Sequence, residues 1–180
     1  METISKALIL LSIVAHLIIL GHAQNTTLIT QTCNQTPNYN LCVSTLTSDP
    51  KTRYANDTRH LAIIMVLHAN GLSTKTQNHI FGLIRNRGIA GPVRQLLDKC
   101  YQNYSRIITN RLIETVEDLL AKRYAFAPDM MKNVQRYVNV CEGSFKKPVK
   151  SPISADNKAM FDLSGVAYAI ISHLSNNNVT

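Results

Sequence analysis

The sequence predicts an all-α protein, an antiparallel four-helix bundle with an N-terminal helical hairpin extension and two disulfides. Apolar residues recur at three- and four-residue steps in four long segments, and no alternating β-pattern of comparable length competes. With 7 glycines and 6 prolines in 180 residues, the chain has few of the turns that a β-sandwich needs. Its 45% hydrophobic content supports one domain with a packed core.

Each of the four segments has one apolar stripe typical of an amphipathic helix. Four such helices joined by short turns bury their stripes most simply against one another, as an antiparallel bundle. The first stripe comprises Leu61, Ile64, Met65, His68, Leu72, Thr76, His79, Ile80, Leu83 and Ile84. The second comprises Val93, Leu96, Leu97, Cys100, Tyr104, Ile107, Ile108, Leu112, Val116, Leu119 and Leu120. The third comprises Met130 or Met131, Val134, Tyr137 or Val138, Cys141 and Phe145, and the fourth Ala159, Leu163, Val166, Ala167, Ile170, Ile171 and Leu174.

Turn-forming residues divide the chain between these segments. Four breaks are predicted, and a fifth, weaker one falls near Ala127-Pro128. The segment 25–49 is left as a helical hairpin at one end of the bundle. The four stronger breaks are at Thr36-Pro37, Asp49-Pro50, Gly88 to Pro92, and Lys147 to Pro152.

The first 23 residues have the features of a secretory signal peptide. Lys6 precedes an apolar run from Ala7 to Leu20, and Gly21-His22-Ala23 offers a small-x-small cleavage site. This run falls short of the roughly 20 residues of a membrane-spanning helix. The sequence therefore predicts a signal peptide at 1–23, a secreted domain at 24–180 and no membrane attachment after cleavage.

All four cysteines lie in the predicted mature chain, and an even number in a secreted protein indicates disulfides. Of three pairings, Cys33–Cys42 with Cys100–Cys141 is favoured. The first bond closes a short loop around Pro37, and the second joins two long helices. The sequence has no CxxC motif and no histidine at ligand spacing from a cysteine, so no metal site is predicted.

The chain is basic, and its net charge stays at +8 when Glu2 and Lys6 leave with the signal peptide. In a secreted protein this charge points to acidic polysaccharides, anionic surfaces or an acidic enzyme rather than to nucleic acid. Weak binding to acidic pectin is thus an open alternative function. Glycosylation sequons, which also fit secretion, begin at Asn25, Asn34, Asn56 and Asn103, with a fifth at Asn178 too near the end to be relied on.

No catalytic arrangement is visible in the sequence. There is no nucleophile motif and no glycine-rich phosphate loop, and no cofactor is expected. His68 lies on an apolar face and is expected to be packed there, while Glu114, Glu117 and Asp118 fall on the solvated face of a helix. A secreted helical protein without a reaction site is expected to act through its surface.

Several motifs resemble the plant invertase and pectin methylesterase inhibitor family. The segment from Thr32 to Cys42 reads TCNQTPNYNLC and is followed by Ser48-Asp49-Pro50, as at the start of that family. The middle matches at Leu97-Asp98-Lys99-Cys100. The end matches at Cys141-Glu142-Gly143-Ser144-Phe145 and at Leu163-Ser164-Gly165-Val166-Ala167.

This resemblance, which covers nearly the whole mature chain, implies a hairpin on a four-helix bundle with the disulfide pairing given above. It also implies an enzyme inhibitor, not an enzyme, that forms a one-to-one complex with a plant cell-wall enzyme and covers its active-site cleft. The expected location is the apoplast or cell wall, with the vacuole as the alternative. The target is either pectin methylesterase or acid invertase (β-fructofuranosidase).

One turn bears on the choice between these targets. Invertase inhibitors of this family carry a Pro-Lys-Phe tip that enters the invertase pocket, and the matching residues here are Tyr124, Ala125 and Phe126. The phenylalanine is present, but the proline that stiffens the turn and the lysine that meets acidic catalytic groups are not. The sequence therefore narrowly favours pectin methylesterase, with invertase as the alternative.

Overall fold

A computed structural model describes residues 11–12, 26–146 and 148–177 of the chain. Every regular element in these ranges is helical, and none of them forms a strand. The all-α prediction is therefore confirmed. Most of the predicted signal peptide, together with Asn25 and Asn178, lies outside the described residues.

The N-terminal part is a helical hairpin clamped by a disulfide. Helix α1 (residues 26–33) and helix α2 (Tyr39–Ser48) are joined by the Cys33–Cys42 bond, whose Cα atoms are 5.5 Å apart. The Asn38 side chain caps α2 by accepting a hydrogen bond from the Leu41 amide at 3.1 Å. The hairpin packs through α2 on the bundle and continues into a 3₁₀ turn at Pro50–Tyr54.

Four long helical segments form the bundle. Helix α3 spans Thr58–Arg85, α6 spans Ala127–Ser144 and α7 spans Ser154–Asn177. The second segment runs from Gly91 to Leu120 without a break and consists of α4 (Gly91–Arg106), a π-helical turn (Ile107–Arg111) and α5 (Leu112–Leu120). The predicted weak break lies just before Ala127, because Pro128 occupies the first turn of α6, where proline is well tolerated.

Neighbouring segments run antiparallel, because short loops join helices that contact each other along the chain. Helix α7 closes the ring by packing on both α6 and α3. The α3–α4 loop (residues 86–90) and the α6–α7 loop (residues 145–153) therefore share one end of the bundle. The α5–α6 loop (residues 121–126) and the start of α3 lie at the opposite end.

Most residues of the predicted stripes are buried or half-buried, with three clear exceptions. Leu120 is 60% exposed because it ends α5, where the chain leaves the bundle. Ala159 is exposed, and so is His79, whose Nδ1 lies 2.9 Å from Asp156 Oδ2 on α7. His68 is also not packed in the core: its side chain is 32% exposed, and its Nε2 lies 3.0 Å from Asp49 Oδ2.

A buried polar network surrounds the second disulfide, Cys100–Cys141, which joins α4 to α6 with Cα atoms 5.0 Å apart. The Tyr104 hydroxyl donates to Asn157 Oδ1 at 2.9 Å, and burial raises the pKa of that phenol, which keeps it protonated as a donor. Asn157 in turn donates from Nδ2 to Glu142 Oε2 at 2.7 Å. The network thus satisfies polar groups of α4, α6 and α7 in the interior.

Glu142 accepts a further hydrogen bond from the Ser154 hydroxyl at the start of α7. Burial alone would raise the pKa of Glu142, but hydrogen bonds from Ser154, Asn157 and Ser151 outweigh it and hold the pKa below its ordinary value. Glu142 therefore joins α6 to α7 in its ionised form.

Replacing Glu142 by glutamine should lower the free energy of unfolding by roughly 1 kcal/mol near neutral pH, since hydrogen bonds to a charged acceptor are lost. Because the folded pKa is depressed, the wild-type advantage is complete above the unfolded value of about 4.3 and shrinks as pH falls through the folded pKa. Urea unfolding between pH 3 and pH 7 measures this. Glu117→Gln, at an exposed site on α5, is the control and should change stability by less than about 0.5 kcal/mol. A difference in unfolding free energy between the wild type and Glu142→Gln that is the same at every pH would contradict the lowered pKa of Glu142.

Candidate functional site

The α5–α6 loop begins with a well-defined helix C-terminus. The Arg123 amide donates to the Asp118 carbonyl at 2.8 Å and the Lys122 amide donates to the Leu119 carbonyl at 3.2 Å. This pair of bonds is a Schellman motif, which requires a left-handed residue just after the helix. Lys122 supplies it with φ of 58°, a conformation usually left to glycine.

The side chain of Arg123 holds the loop against α5. Its Nη2 lies 2.8 Å from Asp118 Oδ1, and its Nε donates to the same oxygen at 2.9 Å. Asp118 is 14% exposed, so this ion pair is partly shielded from water. The loop is therefore fixed by backbone and side-chain bonds although it has no proline of its own.

The three residues singled out in the sequence, Tyr124, Ala125 and Phe126, are named the tip, and they face different surroundings. Tyr124 is half-buried and packs against the core. Ala125 is exposed, and Phe126 has 64% of its surface exposed. Ala127, the next residue, is fully buried as α6 begins. Packing on both sides thus anchors the chain and leaves the Phe126 ring in solvent.

Two further residues of this region were not identified from the sequence as site residues. Leu120, 60% exposed, and Lys122, also exposed, lie in or next to the same loop as Phe126. The sequence placed Leu120 in the core by periodicity. The left-handed backbone of Lys122 could not be predicted, since glycine is the usual signal for it.

Replacing Lys122 by glycine should raise the free energy of unfolding by roughly 0.5–1 kcal/mol, because the left-handed strain of a side-chain-bearing residue is relieved. Ala121→Gly is the matched control at the preceding residue, where φ is −81°, and it should lower stability. Urea denaturation of the three proteins measures both effects. Equal losses in the two variants would show that Lys122 is not strained.

The other candidate residues do not assemble into a reaction site. His68 and His79 each bind an aspartate and bridge α3 to another part of the fold. Among the described residues, no group of histidine, cysteine, aspartate and glutamate side chains is arranged to hold a metal ion. Within the same ranges, no helix combines the length and apolar character needed to cross a membrane.

The predicted glycosylation sites differ in accessibility. Asn34 and Asn56 are exposed in turns at either side of α2 and the 3₁₀ turn. Asn103 is half-buried on α4, and its side chain donates to the Tyr137 carbonyl at 3.5 Å. Asn34 and Asn56 are therefore accessible, and their glycosylation stays a prediction. Asn103 is partly covered by α6.

A profile of the plant invertase/pectin methylesterase inhibitor family matches residues 27–170. The chain belongs to this family. The family resemblance inferred from the motifs is thereby confirmed. Members are inhibitor proteins rather than catalysts, so the inhibitor described here is not an enzyme.

Individual relatives carry both kinds of inhibitor name. The Arabidopsis thaliana proteins named cell wall / vacuolar inhibitor of fructosidase 1 and 2 are 36% and 33% identical to the inhibitor, over 79% and 78% of its length and 67% and 77% of theirs. A solved structure of a mutant pectin methylesterase inhibitor from Arabidopsis superposes with a TM-score of 0.65 at 20% identity, covering 78% of the inhibitor and 92% of that chain. A second, titled as a pectin methylesterase inhibitor from Arabidopsis thaliana, gives a TM-score of 0.60 at 19% identity, covering 81% and 95%.

These comparisons establish the class of function. The protein is an inhibitor of the family that acts on pectin methylesterase or invertase. The names of its sequence relatives fit a location in the cell wall or the vacuole. The likeness to the two solved structures, at 20% and 19% identity, concerns the fold alone.

Proposed function

We propose that this inhibitor acts on an acid invertase, and that Phe126 enters the sucrose-binding pocket of that enzyme. The observation that carries the proposal is the 64% exposure of Phe126 on a turn fixed by hydrogen bonds. A rigid, protruding aromatic side chain is the kind of anchor that fills a pocket in protein interfaces. The fructosidase inhibitors that are 36% and 33% identical to the chain support the same target.

The altered tip is compatible with this target because other residues supply the stiffness and the positive charge that the family's proline and lysine provide. The Schellman motif and the Arg123–Asp118 pair stiffen the turn in place of the family's proline. Lys122 supplies an exposed positive charge in the same loop as Phe126, in place of the family's lysine at position 125. An invertase pocket lined by acidic catalytic groups favours such a charge at its mouth.

Initial-rate assays of a purified acid invertase at several sucrose concentrations test the proposal. The inhibitor should raise the apparent KM for sucrose and leave kcat unchanged, because the tip and sucrose compete for one pocket. Inhibition that lowers kcat and leaves KM unchanged would place the inhibitor outside the pocket. Lys122→Gly should inhibit less well than the wild type even though the variant is expected to be more stable.

Pectin methylesterase, the target narrowly favoured by the sequence, is the second candidate. The observation in its favour is Ala125, which leaves the tip without the charge that invertase inhibitors place there. On this alternative the inhibitor would cover the enzyme's cleft with its helix faces, and the tip would contribute little.

Replacing Ala125 by lysine separates the two candidates, because Ala125 is exposed and the change should not disturb the fold. We expect the variant to inhibit acid invertase several-fold more strongly, since a lysine is added toward an acidic pocket. Ala125→Gln, which adds length without charge, is the control and should give little gain. Inhibition of pectin methylesterase that is the same for the wild type and Ala125→Lys, with no inhibition of invertase by either, would support the second candidate instead.

The inhibitor is further proposed to be exported after cleavage of residues 1–23 and to reach the apoplast or cell wall, with the vacuole as the alternative. A single tip on one bundle fits a one-to-one complex with the enzyme. The N-terminal sequence of the protein recovered from plant tissue tests the cleavage site, which should leave Gln24 as the first residue.

A further inference from the structure

The end of the bundle opposite the tip is strongly basic. The α3–α4 loop and the α6–α7 loop meet there, and both carry exposed cationic side chains. Arg85 and Arg87 come from the first loop region, and Lys146 and Lys150 from the second. None of these four forms an ion pair with any carboxylate in the described part of the chain. These residues define the basic end.

The carboxylates near the basic end contact other groups and not its four cations. Glu142 accepts hydrogen bonds from Ser154 and Asn157, and Asp156 binds His79 at 2.9 Å. Asp98 lies about two turns into α4 and forms no ion pair in the described part of the chain. The four exposed cations are thus left to attract an anionic ligand from solution.

An aromatic surface lies beside these charges. Phe81 on α3 is 47% exposed, and its ring centroid is 6.1 Å from that of Tyr101 on α4. The guanidinium carbon of Arg85 lies 5.5 Å from the Phe81 ring centroid. Stacking on the ring orients the Arg85 fork at the surface, where it can bind a carboxylate with two parallel hydrogen bonds.

We propose that the basic end binds an acidic polysaccharide of the polyuronate type. The exposed Phe81 ring suits the apolar face of a sugar ring, and several cations at one end of the bundle suit carboxylates repeated along a chain. A lipid surface would use the charges but would leave the aromatic pair unexplained, and the predicted secretion of the chain favours a wall polymer over a nucleic acid. Since α3 has 28 residues, the basic end lies about 40 Å from the tip. The inhibitor can therefore be held on a wall polymer while its tip stays free for an enzyme.

Retention of the pure inhibitor on immobilised polygalacturonate, with no enzyme present, tests the proposal. Arg85→Gln with Arg87→Gln should weaken binding roughly ten-fold at low salt, since two exposed charge contacts are removed. Lys51→Gln with Arg53→Gln is the matched control, because it removes two exposed charges in the 3₁₀ turn, outside the basic end, including an arginine that lies 4.6 Å from the Tyr54 ring. The control should weaken binding less than about two-fold if the charges of the basic end are the ones used.

The aromatic pair is tested by Phe81→Ala against two polyanions. Binding to polygalacturonate should weaken several-fold, whereas binding to inorganic polyphosphate, which offers no sugar ring, should not change. The proposal is overturned if the wild type is not retained at low salt, or if both double variants lose affinity equally. It is also overturned if Phe81→Ala binds both polymers as the wild type does, because charge alone would then account for retention. Unchanged melting temperatures and unchanged invertase inhibition would show that the variants are folded and that the tip is not involved.

Discussion

Replacing Phe126 by alanine should weaken inhibition of acid invertase by about thirty-fold, equivalent to about 2 kcal/mol of binding free energy. The ring is the exposed part of a fixed turn, so its removal deletes an anchor without reorganising the free protein. The inhibition constant of the purified variant against one invertase preparation gives the measurement.

The control for this variant is Phe81→Ala, which removes an exposed phenylalanine at the opposite end of the bundle. It should inhibit as the wild type does. Thermal melts of Phe126→Ala should show little change, because a side chain that is 64% exposed contributes little packing. Undiminished inhibition by a stably folded Phe126→Ala variant would show that the tip is not the anchor.

Removing the Cys100–Cys141 bond should have the largest effect on stability. The bond links residues 41 apart in sequence, and the loop-entropy relation gives about 4 kcal/mol for its loss when both cysteines become alanine. Loss of Cys33–Cys42, which links residues 9 apart, should cost about 3 kcal/mol by the same relation. Urea unfolding of the two double variants measures the difference.

The expected order also follows from the position of each bond. Cys100 and Cys141 lie in the centre of α4 and near the end of α6, next to the Tyr104–Asn157 network, whereas Cys33 and Cys42 staple the hairpin alone. A larger loss from the hairpin bond would mean that the hairpin, and not the bundle, limits unfolding.

Much of the fold could be predicted because it depends on patterns that repeat along the chain. The stripe from Val93 to Leu120 predicted one long helix, and the structure has a continuous helical segment there. The π-helical turn at Ile107–Arg111 changes hydrogen bonding without interrupting the helix, so the apolar spacing does not reveal it. Asp57, a good N-cap residue, accepts a hydrogen bond from the His60 amide at the start of α3.

The errors arise where tertiary contacts outweigh local pattern. His68 lies on the apolar face of α3 and is half-buried there, but the hairpin brings Asp49 within 3.0 Å, so the ring has a polar partner and is not packed in the core. Leu120 keeps the helical spacing but ends its helix beyond the reach of the neighbouring segments.

The candidate site was located by sequence, but its geometry was not. The motif match identified Tyr124, Ala125 and Phe126 as a group, and the structure separates a packed tyrosine from an exposed phenylalanine. The stiffness of the turn comes from the left-handed Lys122 and the Arg123–Asp118 pair, which no sequence pattern announces. The lack of a proline therefore does not by itself decide whether the turn is rigid.

The most direct test of the proposed function is a paired titration of the mature inhibitor against a purified acid invertase and a purified pectin methylesterase. The enzymes should be present at concentrations above the dissociation constant, so that the end point reports stoichiometry. We predict that invertase activity falls linearly to an end point at about one inhibitor per enzyme, as expected for a single tip, and that pectin methylesterase activity is unchanged. Loss of pectin methylesterase activity with full retention of invertase activity would contradict the account.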